Sequence, residues 1–244
     1  MKFDSEQVLE GGALERRFTL GEVPGLLWTP AAARGPEPVP LVLLGHPGGV
    51  DRMYPRLAER ARHTVAQGFA AATIELPGGG ERPRIPELER ARADLRDALH
   101  DKQPVDGIVD RLVLPLVELA VPEWQAALDA VLSLPGIGGP VGFSGGVIAV
   151  ATRLAVVEPR ISAAVLFAGS YVPRVMFADA RRVSIPLLVL LQWDDEHNDR
   201  QLALDLFDAF GSAEKTLHAN TGGHTGVPGF EADDVGRFFA RHLR

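Results

Sequence analysis

The 244-residue sequence contains no cysteine. That absence excludes a disulfide framework, a thiolate metal site and a cysteine nucleophile, and it fits a reducing cytosol. Long apolar runs are also missing. The longest, such as residues 186–191 (PLLVLL), fall far short of the ~20 residues that span a bilayer. Neither sign of charge dominates, with 25 Lys and Arg against 32 Asp and Glu and a formal net charge of -7. Such a mildly acidic surface gives no electrostatic reason to bind nucleic acid or an anionic membrane. Residues 1–12 hold one Lys, several acids and no apolar h-region, so they do not read as a signal peptide. There is no fixed-period repeat, no low-complexity segment and no dividing linker. These absences imply one cytoplasmic domain over residues 1–244, with small molecules as partners and room for a homodimer.

What is present is an ordinary globular balance, 46% hydrophobic and 23% charged, with a recurring alternation of short apolar runs and helical spacing. Two β-like segments lie near residues 16–20 and 25–29, and residues 30–38 read as a connecting loop. Residues 40–45, 69–76, 139–143, 161–168, 186–192 and 215–219 read as further strands. Residues 56–67, 123–134, 145–157, 200–210 and 231–243 read as helices between and after them. Strand–helix alternation implies βαβ units, a mostly parallel sheet and right-handed crossovers, an α/β fold with helices on both faces. Residues 83–120 exceed what one crossover needs and read as a helical excursion. Because the excursion follows a strand on the sheet edge where ligands bind, a lid is one expectation, and a packing element on the far face is the other.

Gly142-Phe143-Ser144-Gly145-Gly146 matches G-x-S-x-G, with an apolar strand before it and a helix after it. In that context the serine sits on a tight, strained turn with its hydroxyl above the sheet, and the helix N-terminus adds partial positive charge beside a developing oxyanion. Gly142 and Gly146 remove side chains that would collide where strand and helix approach. The competing reading is a glycine-rich turn with Ser144 as a helix cap.

A serine hydroxyl needs a general base and a carboxylate that orients it. After the strand at 186–192 comes Trp193-Asp194-Asp195-Glu196-His197, and after the strand at 215–219 comes Gly222-Gly223-His224. The order Ser, Asp, His is the one this arrangement requires. His224 is the expected base, since two glycines let its loop approach Ser144. His218 lies within the preceding strand and reads as structural, and His197 as exposed at a helix start. Asp195 is preferred to Asp194 as the acid by its place in the loop, the other acid being free to cap the helix near Asp199. The same acidic cluster could hold a hard cation, but it lacks the EF-hand and H-E-x-x-H patterns. No metal or other cofactor is expected.

The strand at 40–45 ends in His46-Pro47-Gly48-Gly49, which resembles the HG-rich oxyanion loop of lipases and esterases. Pro47 has no N–H, so Gly48, and after it Gly49, becomes the expected loop donor, acting with the N–H of Gly145. Taken together, LVLLGHPGG, FAAATIELPGGGER, GFSGG, the Asp195 loop and GGH make the chain from residue 40 to residue 244 similar to the α/β-hydrolase superfamily, closest to its dienelactone-hydrolase-like branch. The resemblance implies an eight-stranded-type sheet. It implies no large cap domain, since residues 170–184 are too few for one. It also implies cofactor-free hydrolysis of a small-molecule carboxylic ester by a serine hydrolase. Dienelactone hydrolases proper use a cysteine where this chain has Ser144, and hold a substrate carboxylate with arginines, for which Arg52 and Arg82 are the candidates. Phe143, Trp193 and Tyr171 are near enough in topology to shape the substrate pocket, although Phe143 also reads as core. A thioesterase, an amidase or a carbon–carbon hydrolase would use the same residues. A non-catalytic binding protein on the same fold and a metal-dependent hydrolase built on the acidic loop are the readings from other classes.

Overall fold

A computed structural model describes residues 1–31, 37–196 and 198–244. Most of the loop expected at 30–38, and His197, lie outside the described residues. In chain order the elements are β1 (Lys2–Val8), β2 (Ala13–Leu20), β3 (Val23–Pro30), β4 (Val39–Gly45), α1 (Val50–Ala66), β5 (Ala70–Ile74), α2 (Pro86–His100), α3 (Asp106–Leu132), β6 (Ile137–Gly145), α4 (Ile148–Val157), β7 (Ile161–Phe167), α5 (Phe177–Ala180), β8 (Leu187–Gln192), α6 (Arg200–Ala209), β9 (Lys215–Asn220) and α7 (Glu231–His242). The sheet order is β1-β2-β3-β5-β4-β6-β7-β8-β9. β1, β2 and β3 are antiparallel to their neighbours, and the strands from β5 through β9 run parallel. The expected eight-stranded sheet is present as β2 to β9. β1 is an added edge strand whose residues are all exposed, so it carries no buried alternation to signal it.

The strand order fixes where a ligand can bind. From β4 the chain moves outward to β5, then returns past β4 to β6. Right-handed crossovers in opposite directions put α1 on one face of the sheet and α3 on the other, and they leave a crevice between the carboxyl ends of β4 and β6. The two-residue period of the strands divides the core accordingly. Leu41 and Leu43 pack with α3, α4 and α6 on one face. Val42 and Leu44 pack with Leu57 and Ala61 of α1, Phe239 of α7 and Leu243 just past it on the other.

The excursion after β5 forms α2 and α3. α3 is a 27-residue helix that runs through Pro115 and Pro122, so the helix expected at 123–134 is its second half. Proline removes one helical hydrogen bond, but a buried stripe through Val113, Val117, Ala120, Trp124 and Val131 holds the segment on the sheet. α3 packs against α2, α4, β5 and β6, on the face opposite α1 and α7. It is the far-face packing element rather than a lid.

Candidate active site

The carboxyl ends of β4 and β6 meet in register, Leu44 beside Ser144 and Gly45 beside Gly145. β6 runs through Ser144, and α4 begins only at Ile148. The positive φ angles fall on Gly145 (74°) and Gly146 (77°), and Lys102 is the one non-glycine described residue with positive φ. The strained turn expected at Ser144 is therefore displaced onto the two glycines that follow it. Continuation of the strand has a geometric consequence. Phe143 points to the α3 face and Ser144 to the α1 face. Ser144 is consequently buried, 6% exposed, rather than a surface hydroxyl. Glycine is needed nearby for close approach. A Cβ on Gly146 would lie 2.8 Å from Gly45 Cα, and one on Gly142 would lie 2.6 Å from Phe239 Cε1. The collision avoided at Gly142 is thus with α7.

On its own face Ser144 meets Arg60, in the third turn of α1. Arg60 Nη2 donates to Ser144 Oγ at 3.1 Å and to the Ser144 carbonyl at 2.5 Å, and Nη1 donates to the Gly45 carbonyl at 2.9 Å. Burial pushes the Arg60 pKa down to about 10, which leaves it charged at neutral pH. Arg60 was missed in the sequence because nothing in a helix of several arginines marks the one that turns inward.

The loop after β8 and the loop after β9 converge at the same end of the sheet. His224 Nδ1 lies 2.8 Å from Asp195 Oδ2, whose side chain is 3% exposed. Asp194 instead accepts the Gly222 N–H at 3.1 Å, and Asp199 caps α6 by accepting the Leu202 N–H at 3.1 Å. His218 has a carboxylate of its own, with Nδ1 2.9 Å from Glu231 Oε2. It sits within β9, beside Leu190. His224 and Ser144, but not His218, line a common cavity of 510 Å³. Among the described residues His218, Glu231 and Asp234 bring potential metal-ligand atoms within 4.8 Å of one another. Glu231 is already held there by His218 and Asn220.

The cavity extends from Ser144 between α1 and α7, over side chains that include Met53, Leu57, Phe167, Val235 and Phe239. Phe167 meets the His224 ring edge-on, with centroids 5.6 Å apart. No residue of 83–132 lines it. Nor do the three aromatic residues expected to shape the pocket. Phe143 is in the core, edge-on to Trp124 at 5.5 Å. Trp193 is 40% exposed and lies under the Arg200 guanidinium at 4.4 Å. Tyr171 packs nearer the acidic loop, where burial first, and then the charges of Asp199 and Asp195, raise its pKa. The two arginines suggested as carboxylate ligands are also directed elsewhere. Arg82 makes a two-bond pair with Glu123 at 2.7 and 2.6 Å, and Arg52 donates to the Gly48 carbonyl at 3.2 Å.

The loop after β4 differs from expectation as well. His46 is buried, with Nε2 donating to the Ile74 carbonyl at 2.8 Å and Nδ1 accepting the Gly48 N–H at 3.0 Å. Burial holds its pKa below the ordinary value, so it stays neutral in that tautomer. Glu75, also buried, accepts the N–H groups of Gly49 at 2.9 Å, Val50 at 2.7 Å and Leu76 at 2.9 Å. It neutralises the N-terminus of α1, where the N-cap Gly49 has no side chain to do so. The Gly48 N–H is thus occupied within its own loop, and Gly48 does not line the cavity. This corrects its expected part as an oxyanion donor. Glu75, a lone acid at the end of an apolar strand, was the available signal for this anchor.

The chain superposes with TM-score 0.76 on the PEG-bound complex of a cold-adapted esterase from an Arctic intertidal metagenomic library, with 28% identity over 100% of both chains. The chain has the α/β-hydrolase fold. Among other likenesses of fold, TT1662 from Thermus thermophilus gives TM-score 0.66 at 19% identity, over 94% of this chain and 97% of that one. An acetyl xylan esterase from Paenibacillus sp. R4 gives 0.63 at 15% identity, over 99% and 88%. No protein-family model and no curated protein matches the chain. Among the described residues no helix is long and apolar enough to cross a membrane.

Proposed function

We propose that this α/β-hydrolase is a cytoplasmic serine esterase that cleaves a small carboxylic ester through a Ser144–His224–Asp195 triad. The observation that carries the reading is the 2.8 Å contact of Asp195 with His224, in a loop that shares one cavity with Ser144. The likeness to esterases supports the same class of reaction. Ser144 Oγ attacks the ester carbonyl carbon while His224 Nε2 takes the hydroxyl proton, and the carbonyl electron pair moves onto oxygen. Asp195 holds the imidazole through Nδ1 and stabilises the imidazolium. The N–H of Gly145 donates to the oxyanion. The intermediate then collapses, the alkoxy C–O bond breaks, and His224 returns the proton to the leaving alcohol. Water repeats the cycle on the acyl-enzyme. The apolar walls between α1 and α7 fit an ester with a hydrocarbon acyl or alcohol group.

The test is labelling with a fluorophosphonate, followed by peptide mapping and assay of p-nitrophenyl esters. We expect a single adduct on Ser144, and Ser144→Ala to lose activity by a factor on the order of 10⁴–10⁶ with an unchanged fold. An adduct elsewhere, or near-wild-type turnover in Ser144→Ala, would refute the proposal.

A further inference from the structure

An oxyanion formed at Ser144 needs more than one donor, and past His46 the loop after β4 has none to spare. Pro47 lacks an N–H. The N–H groups of Gly48, Gly49 and Val50 are held by His46 and Glu75. Each of those bonds anchors either the loop or the start of α1, so releasing one would leave a buried partner unsatisfied.

Arg60 brings a charged donor to Ser144 from α1. Its guanidinium lines the cavity and touches Ser144 Oγ at 3.1 Å. Its other bonds run to two neutral carbonyls, those of Gly45 and Ser144. Among the described residues no carboxylate pairs with it, and burial lowers its affinity for a proton. A part-buried cation left without a counter-charge is stabilised when an anion arrives beside it. The carbonyl groups fix the planar fork at the carboxyl ends of β4 and β6, so the charge is already positioned before substrate binds. Preorganised charge of that kind gains most when negative charge develops beside it. A guanidinium has five N–H groups, and those not spent on the two carbonyls can turn from Oγ to the adjacent oxygen.

Resting on the esterase reading, we infer that Arg60 is the charged donor that stabilises the oxyanion formed when Ser144 attacks the ester. When the Oγ–C bond forms, the carbonyl π electrons pass to oxygen, which then lies one bond beyond the carbon attached to Oγ. The Arg60 guanidinium donates to that oxygen together with the Gly145 N–H. Arg60 neither gives up nor takes a proton. The charge returns to the carbonyl as the alkoxide leaves with the proton from His224.

The alternative is that Arg60 only ties β4 to β6 through their carbonyls, and the two readings differ in kcat, stability and rescue. The experiment measures steady-state kinetics and melting temperature for Arg60→Met, Arg60→Lys and Arg60→Ala, with added guanidinium or methylguanidinium in the last. We expect Arg60→Met to lose kcat by roughly 10²–10³ with KM little changed, as for removal of one oxyanion donor. Arg60→Lys, which keeps the charge but not the fork, should lose less, and small guanidinium ions should restore part of the Arg60→Ala activity. Wild-type kcat in Arg60→Met overturns the inference. So does an activity loss that parallels a fall in melting temperature and resists guanidinium. If Arg60→Met and Arg60→Ala do not fold, Arg60→Lys decides, since an unchanged kcat there would exclude a part for the fork. Fluorophosphonate labelling of wild-type Ser144 is scored separately, so failure of the esterase reading and failure of the Arg60 inference remain distinguishable.

Discussion

Asp195 and His224 meet at 2.8 Å although 29 residues of chain separate them. The contact exists because β8 and β9 are adjacent parallel strands, so the loops that follow them leave the sheet at one edge. Asp195→Asn should therefore reduce kcat by a factor on the order of 10³–10⁴, because the amide favours the wrong tautomer and cannot stabilise an imidazolium. Asp194→Asn loses only a bond to a backbone N–H and should stay within about tenfold of wild type. Parallel assays of both variants check this, and a greater loss at Asp194 would exchange their assignments.

The two His–carboxylate pairs should separate by phenotype. His224→Ala should abolish turnover with little change in melting temperature. His218→Ala should retain turnover but lower the melting temperature, because it leaves the buried Glu231 with Asn220 alone. Thermal melts and ester assays on both proteins make the comparison. An inactive, stable His218→Ala protein would reverse it.

Glu75→Ala should be among the most damaging substitutions far from a reacting atom. It strips the shared acceptor from two N–H groups at the start of α1, those of Gly49 and Val50, and from that of Leu76 after β5. A loss of roughly 2–4 kcal/mol, or about 5–15 °C in melting temperature, is expected. Calorimetry reads it directly, and a shift under about 2 °C would show that water replaces the carboxylate without cost.

Chain-length preference should be set by the wall between α1 and α7. Val235 lines that wall while remaining partly exposed at its rim, so Val235→Trp should fill space without overpacking the core. Its kcat/KM for a p-nitrophenyl octanoate should fall at least about tenfold more than for the acetate. Equal changes for both esters would mean that the acyl chain lies elsewhere.

His46 should make stability depend on pH in a predictable sense. Its folded pKa is held below the ordinary 6.5 chiefly by burial. The Ile74 carbonyl and Glu75 oppose that shift, and Arg60 and Arg52 add to it. Below about pH 6.5 the unfolded chain binds a proton that folded His46 resists, so its contribution is present above that pH and lost as pH falls. His46→Gln has no such titration. The melting-temperature gap between wild type and His46→Gln should narrow from about pH 7.5 to about pH 5. A gap that widens on acidification would contradict the sign of the shift.

The parallel sheet, a glycine turn next to Ser144 and the chain order of Ser144, Asp195 and His224 were legible in the sequence. These are local properties. Apolar runs of strand length, glycine at a tight turn and polar residues just past a strand end are legible without knowing what lies across the sheet. β1 escaped because an exposed edge strand has no buried face to alternate against, and Pro122 concealed the continuity of α3. Tertiary structure alone decided what faces Ser144. Extending β6 by two residues, through Gly145, kept Ser144 on the strand and aimed it at α1, where Arg60 meets it, with Phe143 in the α3 core. The same packing used the Gly48 N–H within its own loop, sent Trp193 under Arg200 and built the cavity from α1 and α7, far apart in sequence. Direction on a strand reverses with each residue, and partners across a crossover are set by handedness and strand order. Neither quantity is written in the spacing of a motif.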